Sequence, residues 1–319
     1  MRRRDVFLCA AMLAVAFGAA PTLSWGHGVV GQRFFPESLS VEDPFPSDEA
    51  DFPAVSYIKG PDESGQIVKK QTIGIEYSKR LSPNLALAVE LSRVSLTPSD
   101  QTLEKQTGFD NPEFLLKYAM LRDPDRETIV TATLSVAPPW GDKNFTERNP
   151  TLAPGLTFGR GLGDLPEGLR YLKPIALGGA VSLETPLGTP LIDETTGEAE
   201  PQTSTLFYGF IVEYSLPYLQ SFVKDVGLPK PFSRMVPIVE LSLETPVNGP
   251  DHGTTAFVNP GLIWAGKYVQ LGAEALIPLN DRTGHNVGVL AVVHWYLDDL
   301  APSAFTWTPL HGTLGPTRK

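Results

Sequence analysis

Apolar and polar residues alternate through most of the chain, most regularly in residues 84–98, NLALAVELSRVSLTP. Side chains of a strand point alternately to its two faces, so the leucines and valine at odd positions 85–91 share one face. The alanines, glutamate and serine at even positions 86–92 share the other. A soluble sandwich would turn the apolar face inward, whereas a membrane barrel would turn it outward to lipid. The alternation alone fits both folds.

Proline ends this stretch and several later strand-like runs. Endings similar to Ser95-Leu96-Thr97-Pro98 occur at 135–138, 182–186, 242–246 and 276–278. Proline terminates a ladder because it has no N–H to donate. The sequence therefore predicts one hairpin unit repeated about five times, with about twelve strands in all. These strands are expected at 52–59, 69–81, 84–98, 112–121, 127–138, 151–160, 171–184, 203–216, 232–244, 256–265, 268–277 and 285–297.

The lengths of the connections favour the membrane barrel. Short turns are expected at 82–84, 123–125 and 266–267, whereas longer polar loops follow the proline-ended strands. Bacterial outer-membrane barrels have an even number of strands and the same alternation of short turns and long loops. Two connections, 161–170 and 217–230, depart from this alternation. We predict an all-β fold, an antiparallel transmembrane β-barrel of about 12 strands over residues 53–300, with 301–319 as a C-terminal extension.

The N-terminus has the layout of a secretory signal peptide. Three arginines precede the apolar run Val6–Ala20, and small residues follow it. Cleavage after Gly26 would make His27 the first mature residue, and cleavage after Ala20 is the alternative. We therefore assign residues 1–26 to the signal peptide. Residues 27–52, with three prolines and six acidic side chains, are expected to form an extended periplasmic lead-in or a plug in the lumen.

Composition agrees with an exported protein rich in strands and turns. The chain has 319 residues, of which 19% are charged, together with 29 Gly and 30 Pro. Its one cysteine, Cys9, lies within the expected signal peptide. Removing residues 1–26 takes away three Arg and one Asp, which leaves 23 basic and 35 acidic residues and a net charge of −12. Such a surface is not expected to bind nucleic acid. The expected partners are outer-membrane lipid and a small-molecule solute.

Motifs at both ends of the expected barrel resemble those of a known family. The first is His27-Gly28-x-x-Gly31-x-Arg33-Phe34-Phe35-Pro36, followed by Asp43-Pro44 and Asp48-Glu49. The second is Leu297-Asp298-Asp299-Leu300-Ala301-Pro302, after the last strand. These motifs resemble a bacterial family of outer-membrane β-barrel proteins named after the MetA pathway of phenol degradation, whose members are often called transporters. The resemblance implies an outer-membrane barrel and no established substrate.

Carboxylates on the polar faces of the strands are the main candidates for a functional role. In the expected register they face the lumen: Glu76, Glu90, Glu113, Glu184, Glu213, Glu240, Glu244 and Glu274. Carboxylates that ring a pore favour cations. Alternatively they pair inside a filled lumen with basic residues, namely Lys69, Lys79, Arg80, Arg93, Lys117 and Lys173.

Other chemistry has weaker support in the sequence. A mature N-terminal His27 would offer an amine and an imidazole, a pair suited to Cu(II) or Ni(II). The remaining histidines, at 252, 285, 294 and 311, show no ligand spacing. The chain lacks the Gly-x-Ser-x-Gly, His-Glu-x-x-His and phosphate-loop motifs, so we expect neither an enzyme nor a cofactor.

The expected function is an outer-membrane channel or transporter for small solutes, with cations as the expected preference. One alternative is a non-conducting outer-membrane barrel that acts as an anchor or displays loops. The other is a soluble periplasmic β-sandwich that binds apolar ligands.

Overall fold

The structure is a computed structural model of the whole chain. It describes residues 28–61, 66–99, 104–143, 145, 148–190, 199, 202–248 and 253–310. Within these ranges no helix has both the length and the apolar composition needed to cross a membrane. His27 and the expected signal peptide lie outside the described residues.

Fifteen strands make up the fold within the described residues. The first two, β1 (Val29–Val30) and β2 (Arg33–Phe34), form a small antiparallel hairpin. The others are β3 (Glu49–Pro61), β4 (Ile67–Ser82), β5 (Leu85–Pro98), β6 (Gln106–Phe109), β7 (Glu113–Asp123), β8 (Thr128–Ala137), β9 (Thr151–Gly161), β10 (Ile175–Pro186), β11 (Thr205–Tyr214), β12 (Met235–Pro246), β13 (Thr255–Ala265), β14 (Val269–Pro278) and β15 (Gly288–Tyr296).

Twelve of these strands close into an antiparallel barrel. Each pairs with its neighbour in the chain, β6 apart, and the last strand, β15, pairs with the first, β3. The short strand β6 pairs with the outer part of β5, beyond the β5–β7 contact. A closed barrel leaves no free sheet edge. The predicted all-β, 12-stranded barrel is confirmed, and the alternative of a β-sandwich is wrong.

The apolar faces of the barrel strands point outward. Leu91 of β5 is 48% exposed and Val239 of β12 is 44% exposed, although both lie in the middle of long strands. On the opposite faces of the same strands, Ala88 of β5 and Glu240 of β12 point inward and are buried. An apolar outer surface around a polar interior is the arrangement of a barrel that spans a lipid bilayer.

The two ends of the barrel differ in their connections. At one end, here called the turn end, short turns join β4 to β5, β7 to β8 and β13 to β14. The same end carries the short helices, at Glu167–Leu172, Leu216–Tyr218, Leu219–Val223, Phe232–Arg234, Leu297–Leu300 and Pro302–Phe305. The opposite end, here called the loop end, carries the longer loops. In outer-membrane barrels the short turns are periplasmic.

Residues 28–48, here called the plug, enter the barrel from the turn end and return to it before β3. Their contacts reach at least eight of the barrel strands: β4, β7, β8, β9, β11, β12, β13 and β14. Phe35 and Phe45 stack at 5.5 Å between ring centroids and pack with Ile129 and Ala176 of the wall. The lead-in expected from its prolines is therefore an internal element of the barrel.

Four strands begin three or four residues away from their expected positions. β12 begins at Met235 rather than at residue 232, after the 3-10 helix Phe232–Arg234, and β15 begins at Gly288 rather than at residue 285. β3 begins at Glu49 rather than near residue 52, and it extends the pairing of β15 and β4 to the turn end. β10 begins at Ile175 rather than at residue 171, because Glu167–Leu172 forms a 3-10 helix and Pro174 follows it. Proline cannot donate to a ladder, so the strand starts after it.

Replacing Leu91 by Arg should destabilise the barrel by about 2–4 kcal/mol, because the charge would lie at mid-depth on the lipid side. The neighbouring change Ser92→Arg is the matched control. Ser92 lies on the opposite face of the same strand, beside a cavity and within 2.9 Å of the Glu90 carboxylate. Urea unfolding in lipid vesicles measures both. A larger loss for Ser92→Arg than for Leu91→Arg would contradict this assignment of faces.

Candidate functional site

The plug begins with an arginine that is completely buried. The Arg33 guanidinium donates to Glu127 Oε2 at 3.2 Å and to the backbone oxygens of Pro174 at 2.8 Å, Ile175 at 3.3 Å and Lys173. The Cζ atom of the guanidinium lies 3.9 Å from the ring centroid of Tyr218. A buried charge is stable only when it is paired and hydrogen-bonded, and here both conditions hold. Arg33 therefore fixes where the plug enters the barrel.

The surroundings of Arg33 are built for this contact. Glu127 adopts a left-handed backbone conformation with φ of 47°, uncommon for a residue other than glycine, in the turn between β7 and β8. Its carboxylate also accepts from the N–H of Gly163 at 3.1 Å. Burial raises the pKa of the Tyr218 hydroxyl to about 12, and the neighbouring Glu127 carboxylate acts in the same direction. Tyr218 therefore stays neutral beneath the guanidinium.

The tip of the plug is held by one carboxylate of the wall. Glu240 of β12 accepts hydrogen bonds from three successive backbone N–H groups, those of Leu39 at 2.8 Å, Ser40 at 2.7 Å and Val41 at 2.8 Å. The Ser40 hydroxyl donates a fourth bond at 2.6 Å. Converging backbone N–H groups form an anion site, and bonds to a charged acceptor are stronger than neutral ones. The wall here supplies the anion and the plug supplies the site.

Glycines in the wall make room for the tip. A Cβ atom at Gly209 of β11 would lie 2.7 and 2.8 Å from the two methyl carbons of Val41. A Cβ atom at Gly272 of β14 would collide with the side chain of Leu39. Both positions face the lumen at mid-strand, where a larger residue would displace the plug.

On its way back to the turn end, the plug carries its acidic residues to wall cations. Lys117 of β7, 1% exposed, donates to Asp43 at 2.7 Å and also contacts Glu42. Asp48 pairs with Lys79 and, at 3.4 Å, with Arg80 of β4. Glu42, Asp43 and Asp48 therefore each meet an opposite charge on the wall, which offsets the cost of burial.

The C-terminal segment closes the same corner of the barrel. Lys79 also donates to the backbone oxygen of Phe305 at 2.7 Å, and its ammonium lies 4.9 Å from the ring of Trp307. Arg80 lies 3.7 Å from Asp298 of the short helix after β15. Burial raises the pKa of the Asp298 carboxyl to about 6, although Arg80 opposes the shift. The plug and the segment that follows β15 thus share one set of charges.

An acidic cavity remains between the tip of the plug and one side of the wall. Its volume is about 310 Å³. Its lining includes five carboxylates and no basic side chain, the carboxylates being Glu37, Glu42, Asp51, Glu76 and Glu90. Strands β3, β4, β5 and β15 supply its outer wall.

The eight glutamates predicted to face the lumen occupy different surroundings. Glu76 and Glu90 line the cavity, and Glu113 accepts from Ser135 at 2.5 Å. Glu213, Glu240 and Glu274 are buried, and Glu240 accepts hydrogen bonds from the plug. Glu184 and Glu244 are exposed near the loop end. Of the predicted basic partners, Lys79, Arg80 and Lys117 hold the plug, whereas Lys173 pairs with Glu167 at 3.6 Å.

Several important residues escaped the sequence analysis as functional candidates: Arg33, Asp43, Asp48, Glu49 and His294. The first four lie in the N-terminal motif, where they were noted only as part of a resemblance. A buried role for them has one signal in the sequence, the high density of charge beside Phe35 and Phe45.

Comparison with solved structures finds barrels of the outer membrane. An outer-membrane channel from Pseudomonas putida F1 is 12% identical, with a TM-score of 0.53, over 87% of this chain and 99% of that one. The transport unit of the autotransporter AIDA-I from Escherichia coli is 9% identical, with a TM-score of 0.48, over 82% and 94% of the two chains. The NanC porin is 9% identical, with a TM-score of 0.42, over 76% and 98%.

No protein-family model matches the sequence, and comparison with curated proteins finds no similar sequence. At these identities the similarity to the Pseudomonas channel establishes the barrel fold.

Glu240→Gln should loosen the tip of the plug. The amide offers one acceptor oxygen and turns its own N–H₂ group toward the plug donors, so charge-assisted bonds worth about 1.5–3 kcal/mol each are lost. Hydrogen exchange of the peptide containing residues 39–41 should accelerate about tenfold or more. Glu244→Gln, on the same strand but exposed, is the control and should leave the exchange unchanged. Equal exchange in both variants would show that Glu240 does not hold the tip.

Proposed function

We propose that this protein is an outer-membrane channel for small solutes, that it prefers cations, and that movement of the plug opens its lumen. The observation that carries the proposal is the acidic cavity between the tip of the plug and the wall. A cavity of about 310 Å³ inside a membrane barrel is large enough for a small solute, and its lining carries negative charge without basic residues.

The location in the outer membrane is supported by three features. The outer surface of the barrel is apolar at mid-strand, the chain starts with the layout of a secretory signal, and a solved outer-membrane channel has the same fold. The end motifs support the narrower proposal that the chain is related to the family named after the MetA pathway. The expected mature protein should fractionate with outer membranes and migrate faster on gels before boiling than after it.

The preference for cations follows from the position of the unpaired charge. Glu42 contacts Lys117 and Asp51 contacts His294, but Glu76 and Glu90 form no salt bridge within the described part of the chain. Carboxylates within a low-dielectric wall create a negative potential that concentrates cations.

A moving plug is supported by the way its tip is attached. The polar contacts of residues 39–41 with β12 are hydrogen bonds to one carboxylate, and water can replace these bonds. Val41 also packs in an apolar cluster with Val236 and Ile238 of the same strand. The chain connects the plug to β3 without a break, so the plug can leave the lumen without leaving the protein.

Replacing both Glu76 and Glu90 by Gln should lower the ratio of cation to anion permeability in planar bilayers. The difference from the unaltered protein should shrink at 1 M salt, where the Debye length is about 3 Å. Glu167→Gln, an exposed carboxylate at the turn end, is the matched control. A permeability ratio that is indifferent to the double change, in a protein that conducts, would contradict the preference for cations.

A disulfide between the plug and the wall would test whether the plug must move. Val41→Cys with Gly209→Cys places two thiols where a Cβ at 209 would lie within 2.8 Å of the Val41 methyl carbons. The expected mature chain has no other cysteine. The oxidised protein should conduct several-fold less than the same sample after reduction, and the two single-cysteine variants should not respond to reductant.

Equal conductance before and after reduction, with the disulfide verified by mass, would show that solutes do not need the plug to move. No conductance in any state would favour the second candidate, a non-conducting barrel that anchors or displays loops. The contacts of the plug with eight strands are the observation that favours this candidate.

A further inference from the structure

Three metal-ligating side chains meet where the plug touches the closure of the barrel. They are Glu37 of the plug, Glu49 of β3 and His294 of β15, and their ligand atoms all lie within 4.8 Å of one another. Glu49 is 5% exposed and His294 is 1% exposed. The three residues come from separate parts of the chain, and only closure of the barrel around the plug brings them together.

A bulge in β3 creates the cluster. Between the pairs Asp51–His294 and Ala54–Val292, two residues of β3 oppose one residue of β15, and the register with β4 shifts at the same place. Beyond the bulge, Ala54 and Ser56 face the cavity, at even positions. Before it, the odd positions 49 and 51 face inward, because one extra residue exchanges the two faces of a strand. Regular alternation would have turned both acids outward to lipid.

The imidazole of His294 is oriented by a second carboxylate. Its Nδ1 atom lies 2.7 Å from Asp51 Oδ1. Because a carboxylate can only accept, Nδ1 carries the proton whenever the imidazole is neutral, which leaves the lone pair on Nε2, the nitrogen nearer to Glu49. A carboxylate behind the distal nitrogen is the usual arrangement of metal-binding histidines.

Glu49 offers one oxygen that the protein leaves open. Its Oε1 atom is buried and has no hydrogen-bond partner among the described residues. Its Oε2 atom lies 3.6 Å from Nε2 of His294, which is too long for a hydrogen bond. Two ligands about 2.1 Å from a tetrahedral ion are separated by about 3.4 Å, so the observed spacing suits a shared cation.

Glu37, the third residue of the cluster, is positioned by hydrogen bonds to its backbone. Gln270 of β14 accepts from the N–H of Glu37 at 3.1 Å and donates to its carbonyl oxygen at 2.8 Å. The Tyr296 hydroxyl donates to the same Gln270 oxygen at 3.2 Å. These bonds position the backbone of residue 37 beside the cluster.

We propose that Glu37, Glu49 and His294 bind one divalent transition-metal cation, with Asp51 as the group that orients His294. One imidazole and two carboxylates suit Zn²⁺ and ions of similar preference, whereas Ca²⁺ and Mg²⁺ prefer oxygen ligands alone. The bound ion would tie the plug to both strands that close the barrel. The site does not depend on whether the barrel conducts.

The test measures binding of Zn²⁺ to the full mature protein, purified in detergent with a tag that lacks histidine and stripped with a chelator. Titration calorimetry and metal analysis after gel filtration should give one Zn²⁺ per chain. A hundredfold excess of Ca²⁺ or Mg²⁺ should not displace it. Binding should weaken about tenfold or more in Glu49→Gln, His294→Gln and Glu37→Gln. Asp51→Asn should weaken it by about 10–100-fold, the usual effect of losing an orienting group.

Glu274→Gln is the matched control, because both Glu274 oxygens are also buried without a hydrogen-bond partner among the described residues, but no histidine joins them in a cluster. This variant should bind Zn²⁺ as the unaltered protein does. The mobility of unboiled samples verifies folding of every variant. If a variant of β3 or β15 does not fold, Glu37→Gln still tests the site, because it alters only the plug. Absence of saturable Zn²⁺ binding by the unaltered protein would overturn the proposal, as would binding that all three ligand variants retain.

Discussion

The structure depends on neutralising the charges that the plug carries into the barrel. Burial of an unpaired carboxylate or guanidinium costs several kcal/mol, so a charged segment stays in a lumen only where the wall supplies partners. Arg33 meets Glu127 and three backbone oxygens, and Lys117 meets Asp43 and Glu42. The wall and the plug are therefore complementary in charge, and neither would be stable in this form without the other.

Shape complementarity follows the same division of roles. The wall strands place glycine where side chains of the plug tip come close, at Gly209 opposite Val41 and at Gly272 opposite Leu39. Nearer the turn end, Phe35 and Pro44 approach Gly159 within 3.4 Å of where its Cβ would be. Glycine weakens a strand interior, so its use at these positions is explained by the close approach of plug side chains.

Much of the barrel could be predicted from the sequence, and much of its interior could not. Alternation in β5 and proline at the strand ends were enough to predict twelve strands, because a side-chain period of two is a local property. Alternation fails at the bulge in β3, where one extra residue turns Glu49 and Asp51 inward. The position of the plug depends on contacts between residues far apart in the chain, such as that of Ser40 with Glu240, 200 residues later, and no local pattern encodes them.

His294 shows even more clearly that local sequence patterns do not reveal contacts inside the barrel. His294 has no ligand-like spacing in the chain, yet it lies beside residues 37, 49 and 51 once the last strand pairs with the first. Sequence spacing reveals a site only when one element holds several ligands, as two residues of a single helix do. In a barrel, the residues that meet in the lumen come from strands far apart in the chain. Only the order of the strands decides which of them meet.

The hydrogen bonds and ion pairs of the plug also determine what would be required for it to leave the lumen. Glu240 would lose four donors and Lys117 would lose both of its carboxylates, leaving charges exposed in a narrow lumen. Water must therefore enter as the plug leaves, because only water can replace so many hydrogen bonds at once. An apolar plug would face no such requirement and could slide from a dry lumen. In this barrel, opening of the lumen and its hydration are consequently one event, and the wall that remains is rich in carboxylates from β4, β5 and β12.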